Sequence, residues 1–238
     1  MAKSEVYNVD CLELMRSLPD DAFDLIIADP PYGGGFTEGG GCKGWFSKYH
    51  QKQEEIPAYN RFGSPGSRFE KYKPEAKDGK KKIISWDVAP GPEYFEEMFR
   101  VSRNQIIWGG NYFALPPTRC FLVWKKLTIS ENFTMAMCEY AWTSFNENAK
   151  VFECAPQGKV GDDRFHPTQK PIALYKWILS RYAKPGDKIF DPYLGSGSSR
   201  IAAWDMGFDF VGCEIDKVYF DLMEKRFEEH TKQTRMEL

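Results

Sequence analysis

Phe190–Asp191–Pro192–Tyr193–Leu194–Gly195–Ser196–Gly197–Ser198–Ser199 is the stretch on which the reading of this chain turns. A run of strand character, Lys188–Ile189–Phe190, ends at Asp191 and meets a Gly/Ser turn that leads into a helical pattern. Glycines let the backbone approach a ligand closely, and amides exposed at a helix start favour polar or anionic groups. Strand, glycine turn and helix in that order are the pattern of an α/β domain for a nucleoside-containing ligand. The full G-x-G-x-x-G spacing is absent, because position 200 is Arg. Glu214, at the end of the next predicted strand, is suited to accept hydrogen bonds from both ribose hydroxyls.

A second strand of the same kind, Phe23 to Ala28, ends at Asp29–Pro30–Pro31–Tyr32. Two prolines fix φ and remove two amide donors, so this backbone offers only acceptors. Asp29 and the Pro30 carbonyl can accept both N–H bonds of an exocyclic amine while Tyr32 stacks on its ring. Such an amine conjugates its lone pair into the ring and is a poor nucleophile. Holding its protons between two acceptors favours a pyramidal nitrogen aimed at an electrophile, which is catalysis by positioning. In one parallel sheet the two loaded strand ends should open on one crevice.

Outward from these stretches, Val6–Val9 reads as a strand and Cys11–Leu18 as an amphipathic turn of helix. Pro92–Val101 reads as a helix, Gln105–Trp108 and Cys120–Trp124 as buried strands, and Glu139–Phe145 as an antiparallel or edge strand. Asn146–Phe165 reads as a polar connection, and Thr168 as the cap of a helix running to about Tyr182. Ser198–Met206, Phe208–Cys213 and Lys217–His230 complete the series as helix, strand and helix. Trp108, Trp124 and Trp142 read as core, and Cys11 and Cys213 as small buried hydrophobes. The order fits a mostly parallel sheet with an antiparallel edge strand and helices on both faces, in one domain spanning 1–238. Residues 33–82 break the pattern: triple glycines at 33–35 and 39–41 open a polar, aromatic-rich stretch far longer than packing needs.

Net charge is −2, so the total calls for no polyanionic partner, but residues 43–82 hold eleven Lys/Arg against five acids. The six cysteines, at 11, 42, 120, 138, 154 and 213, show no C-x-x-C pair, which speaks against a zinc site or a disulfide framework. No apolar leader or membrane-length run is visible, so a cytoplasmic chain with no membrane or metal partner is expected.

Asp29–Pro30–Pro31–Tyr32, His166–Pro167–Thr168–Gln169–Lys170–Pro171 and Asp191–Pro192–Tyr193–Leu194–Gly195–Ser196–Gly197–Ser198 together resemble the amino-group DNA methyltransferases, adenine-N6 specific. Their order, catalytic tetrapeptide before glycine turn, resembles the beta group. The resemblance implies a class I (Rossmann-like) methyltransferase fold and S-adenosyl-L-methionine as cofactor. It puts Asp191, Gly195 and Gly197 at the cofactor's methionyl part, Glu214 at its ribose, Lys170 near its carboxylate and Asp10 near its adenine. Cys11, Asp29, His166, Pro192, Tyr193, Ser196, Ser198 and Ile215 fall in the same surroundings. Asp29, Pro30, Pro31 and Tyr32 become the catalytic pocket for an adenine flipped out of double-stranded DNA. His166 reads as structural, since methyl transfer needs no general base. Similar enzymes carry a long reader segment before the His166 motif, and here only about twenty residues are available. DNA contact therefore falls to the 33–82 insertion, through Lys43, Lys48, Arg61, Arg68, Lys71 and Lys73. Similar enzymes often dimerise, so a homodimer is a further partner to expect. Three rival readings remain. Cytosine-N4 enzymes of this type usually carry Ser in place of Asp29; a non-catalytic DNA-binding protein would not need Asp29, Tyr32, Gly195 and Glu214; and a dinucleotide oxidoreductase lacks its third glycine here.

Overall fold

A computed structural model of the chain describes residues 2–32, 88–132, 136–156 and 164–236. The chain divides into two compact units, Met1–Pro30 with Gly91–Leu238, and Pro31–Pro90. The first carries all the regular structure described below.

Among the described residues eight strands form one sheet: β1 Ser4–Tyr7, β2 Phe23–Ala28, β3 Ser102–Trp108, β4 Phe121–Lys126, β5 Cys138–Thr143, β6 Lys150–Cys154, β7 Lys188–Asp191 and β8 Asp209–Cys213. Their order is β1-β8-β7-β2-β3-β5-β4-β6. From β1 to β3 every pairing is parallel. β5 runs antiparallel to both β3 and β4, and β6 runs parallel to β4. The helices are α1 Cys11–Arg16, α2 Pro92–Arg100, α3 Ile172–Tyr182, α4 Ser198–Asp205 and α5 Lys217–Met236. None is long and apolar enough to cross a membrane.

β2 shows why the central strands read as continuous apolar runs. Ile26 and Ala28 point into a cluster with Met15 of α1 and Tyr94 and Met98 of α2. Leu25 and Ile27 alternate to the other face and are equally buried.

Three expectations need correction. The antiparallel strand is not at an edge: β5 lies between β3 and β4, and the edges are β1 and β6. Its alternation comes from Glu139, which faces lysines rather than solvent. The connection 146–165 contains a strand, β6, whose Lys150 and Glu153 give it a broken apolar pattern and blunt an exposed edge. Thr168 caps nothing: its hydroxyl meets Nδ1 of His166 at 3.1 Å. Pro171, at φ −65° and ψ 143°, is the N-cap of α3, because the chain before a proline is held extended and the helix starts only at Ile172.

Arg200, where a third glycine would complete the dinucleotide pattern, is buried on α4. Its guanidinium binds Glu224 of α5 at 2.5 Å and lies 3.7 Å from the centre of the Phe227 ring. Burial lowers its basicity and Glu224 opposes that shift. Glu224→Ala is expected to cost about 2–3 kcal/mol, less than stripping one partner from a fully buried pair because Glu224 is 34% exposed. Urea unfolding should show a smaller loss when Arg200→Met and Glu224→Met are made together.

Candidate active site

The site begins with the sheet order. β2 feeds β3 on one side, while its neighbour β7 feeds β8 on the other. Chains leaving in opposite directions open a crevice beyond the carboxyl ends of the two strands. Leu25 pairs with Ile189 and Ile26 with Phe190, so Asp191 comes level with Ile27 and Asp29 emerges two residues further along the neighbouring strand. Glu214 follows β8, the next strand over, and Asp10 follows β1 beyond it.

The glycine turn is held by acids. Asp191 Oδ1 accepts the Tyr193 amide at 3.0 Å and Oδ2 the Ser199 hydroxyl at 2.5 Å, so this buried carboxylate ties both ends of the turn. Glu214 Oε2 accepts the Gly195 amide at 2.8 Å, and Oε1 accepts the Asp216 amide at 2.9 Å. Gly195 and Gly197 have φ of 49° and 73°, in the left-handed region that favours glycine. A Cβ at Gly197 would stand 2.4 Å from Met223 of α5, so the turn also needs that space. Arg226 donates to the Ser196 carbonyl at 2.8 Å and the Ser198 hydroxyl at 3.0 Å, and the two hydroxyls lie 3.2 Å apart.

Asp10 caps α1, accepting the Leu12 amide at 2.7 Å. Cys11 and Cys213 are buried, the latter in contact with the Pro192 carbonyl at 3.4 Å. Ile215 is exposed, with its carbonyl and that of Glu214 bound by the Asn8 amide. His166 packs on the glycine turn, its ring 3.3 Å from where a Gly195 Cβ would be and edge-on to Tyr219. Burial, with the nearby Lys170 and Arg164 cations, pushes its imidazole down to about 3, so it is neutral at physiological pH.

Lys170 sits apart from the sequence expectation. Its ammonium binds Asp29 Oδ2 directly, lies 3.1 Å from Glu139 Oε2, and is 5.3 Å from the centre of the Trp108 ring. Glu139 Oε1 binds Lys126 at 2.6 Å. Burial works against the Lys170 cation, and the two carboxylates outweigh it, raising its basicity. Burial likewise works against the Glu139 anion, and Lys170 and Lys126 outweigh it. Sequence reading missed Glu139 and Lys126. The available signal was a charged residue at the end of one apolar strand run and at the start of another. Pro31 and Tyr32 belong to the second unit and follow Pro30 directly in the chain. Lys43, Lys48, Arg61, Arg68, Lys71 and Lys73 lie outside the described residues, as do the triple glycines.

Sheet, glycine turn and flanking acids define a class I methyltransferase fold, and S-adenosylmethionine is its cofactor. The donors fit that group. Glu214 offers carboxylate oxygens that can each accept further bonds. Asp29 and Glu214 both act against the Asp191 anion, a repulsion that a cationic group would relieve. A model of the DNA methylase family of N6/N4 methyltransferases matches residues 70–225, and the chain belongs to that family. It is 28% identical to the type II methyltransferase M.HinfI of Haemophilus influenzae, over 92% of this chain and 67% of that one. Among solved structures it is similar to the M1.HpyAVI–SAM complex at TM-score 0.55 and 19% identity, covering 94% of this chain and 99% of that one. The cytosine-N4-specific PvuII DNA methyltransferase gives TM-score 0.58 at 12% identity, covering 98% and 91%. These two likenesses are of fold.

Burial pushes the Asp191 carboxyl up to about 7, with Asp29 and Glu214 adding to the shift and its two hydrogen bonds opposing it. A cationic ligand selects the ionised form, so S-adenosylmethionine affinity is expected to fall as pH is lowered through about 7. Calorimetry across that range should show the slope in the natural protein and its loss in Asp191→Asn, whose side-chain oxygen can still accept the Tyr193 amide.

Proposed function

We propose that this chain methylates the N6 amino group of adenine in double-stranded DNA, on a base turned out of the helix. The observation that carries the reading is the Asp29 carboxylate at the end of β2, beside the glycine turn of β7 at the reversal of strand order. An acid followed by two prolines offers only acceptors to an incoming amine. Asp29 and the Pro30 carbonyl accept its two N–H bonds, and Tyr32 stacks on its ring. When bound, S-adenosylmethionine supplies a methyl group on a cationic sulfur. Asp29 and Pro30 turn the nitrogen lone pair toward that carbon. The cofactor would supply the methyl carbon, Asp29 and the Pro30 carbonyl would stay bonded to the amine throughout, and the nitrogen would release its surplus proton to water afterwards. Lys170 holds the Asp29 carboxylate in place.

Asp191, Gly195 and Gly197 serve the methionyl part of the cofactor in this reading, and Glu214 its ribose. The single catalytic domain, 1–238, would reach DNA through the basic insertion at 33–82, where Lys and Arg suit phosphate contacts.

Mass spectrometry of nucleosides from incubated DNA is expected to find N6-methyladenine; N4-methylcytosine would overturn the choice of base. Asp29→Ala should abolish turnover and leave cofactor affinity within about threefold, a loss confined to the transition state. Deleting residues 40–80 should weaken binding to unmethylated duplex DNA with cofactor binding intact. An unchanged DNA affinity would remove that segment from the interface.

A further inference from the structure

Four charges of alternating sign line up behind the crevice. Lys126 comes from the end of β4, Glu139 from the start of β5, Lys170 from the loop before α3 and Asp29 from the end of β2. Lys126 binds Glu139 Oε1 at 2.6 Å, Lys170 lies 3.1 Å from Glu139 Oε2, and Lys170 contacts Asp29 Oδ2. The two lysine side chains are only 6% and 3% exposed. Buried ion pairs are poor sources of stability, since apolar residues of like volume often replace them without loss. Three strand ends and a loop converging on one carboxylate call for another reason.

We propose that Glu139, oriented by Lys126, is a positioning residue that divides the charge of Lys170 between two carboxylates. The inference rests on the reading of Asp29 as acceptor for the target amine. That nitrogen gains positive charge as the new bond forms, so the negative potential of Asp29 helps the reaction. An ammonium paired with Asp29 alone would anchor the carboxylate and cancel much of that potential. Glu139 draws on the same Nζ and restores it, so that Asp29 is both fixed and negative. Lys126 takes one oxygen of Glu139 and leaves the other toward Lys170, which keeps the division in one geometry. Neither Glu139 nor Lys126 needs to touch DNA or cofactor.

The test compares Glu139→Gln with the charge-balanced pair Lys126→Met and Glu139→Gln, which leaves no lone buried charge and remains usable if the single variant does not fold. Single-turnover methyl transfer to unmethylated genomic DNA is expected to drop roughly tenfold in both, the equivalent of one pKa unit of interaction. S-adenosylmethionine affinity by calorimetry and DNA affinity should stay within about threefold. Lys126→Met should slow transfer alone and add nothing in the Glu139→Gln background. Glu139→Asp should recover part of the rate. In the cofactor-free protein the Lys170 Nζ nitrogen resonance should shift on Glu139→Gln and again on Asp29→Asn. A natural transfer rate in the double variant, or a Lys170 resonance indifferent to Glu139, overturns the inference. Asp29→Asn separates the two levels. If it is inactive while the double variant is fully active, only the role of Glu139 fails; if it is fully active, the reading of Asp29 fails.

Discussion

Two adjacent parallel strands send their chains in opposite directions, and the rest of the site depends on that divergence. Between β2 and β7 no crossover covers the carboxyl ends, because one continues to β3 and the other to β8. The register then brings Asp29 to within two residues of the level of Asp191 on the adjacent strand, although 162 positions separate them in the sequence. A ligand entering there meets both strand ends, the glycine turn and the end of β8.

The same convergence creates an electrostatic problem. Asp29, Asp191 and Glu214 gather where burial already disfavours charge. The protein answers in two ways. Backbone amides and a serine hydroxyl satisfy the oxygens of Asp191 and Glu214, while Lys170 pairs with Asp29. The residual repulsion is what a cationic cofactor would relieve.

Several acids that a motif assigns to ligand contact therefore have structural duties as well. Asp10 caps a helix, Asp191 closes the glycine turn, and Glu214 holds Gly195 in its left-handed conformation. These duties place the side chains before any ligand arrives, which is the preorganisation that catalysis by positioning requires. The neutral His166 ring packed on the turn belongs to the same scaffold.

What the residues alone determined is everything local. Apolar runs ending in an acid, proline fixing φ, and glycine where φ is positive are dictated by the residues themselves, so β2, β7, the glycine turn and the acids Asp29, Asp191 and Glu214 were legible. Strand β6 was not, because an edge strand with a single neighbour needs no continuous apolar run. The lysine partners of Glu139 were not legible, since a strand pattern tells which residues share a face and not what lies opposite. Lys170 was placed by resemblance near the cofactor, and its contact with Asp29 is one the residues alone did not give. Pairings between β4, β5, a loop and β2 join residues 13, 31 and 141 positions apart, and only the folded sheet order brings their charges within reach. Coulombic partnership depends on distance in space, and sequence spacing carries no measure of that.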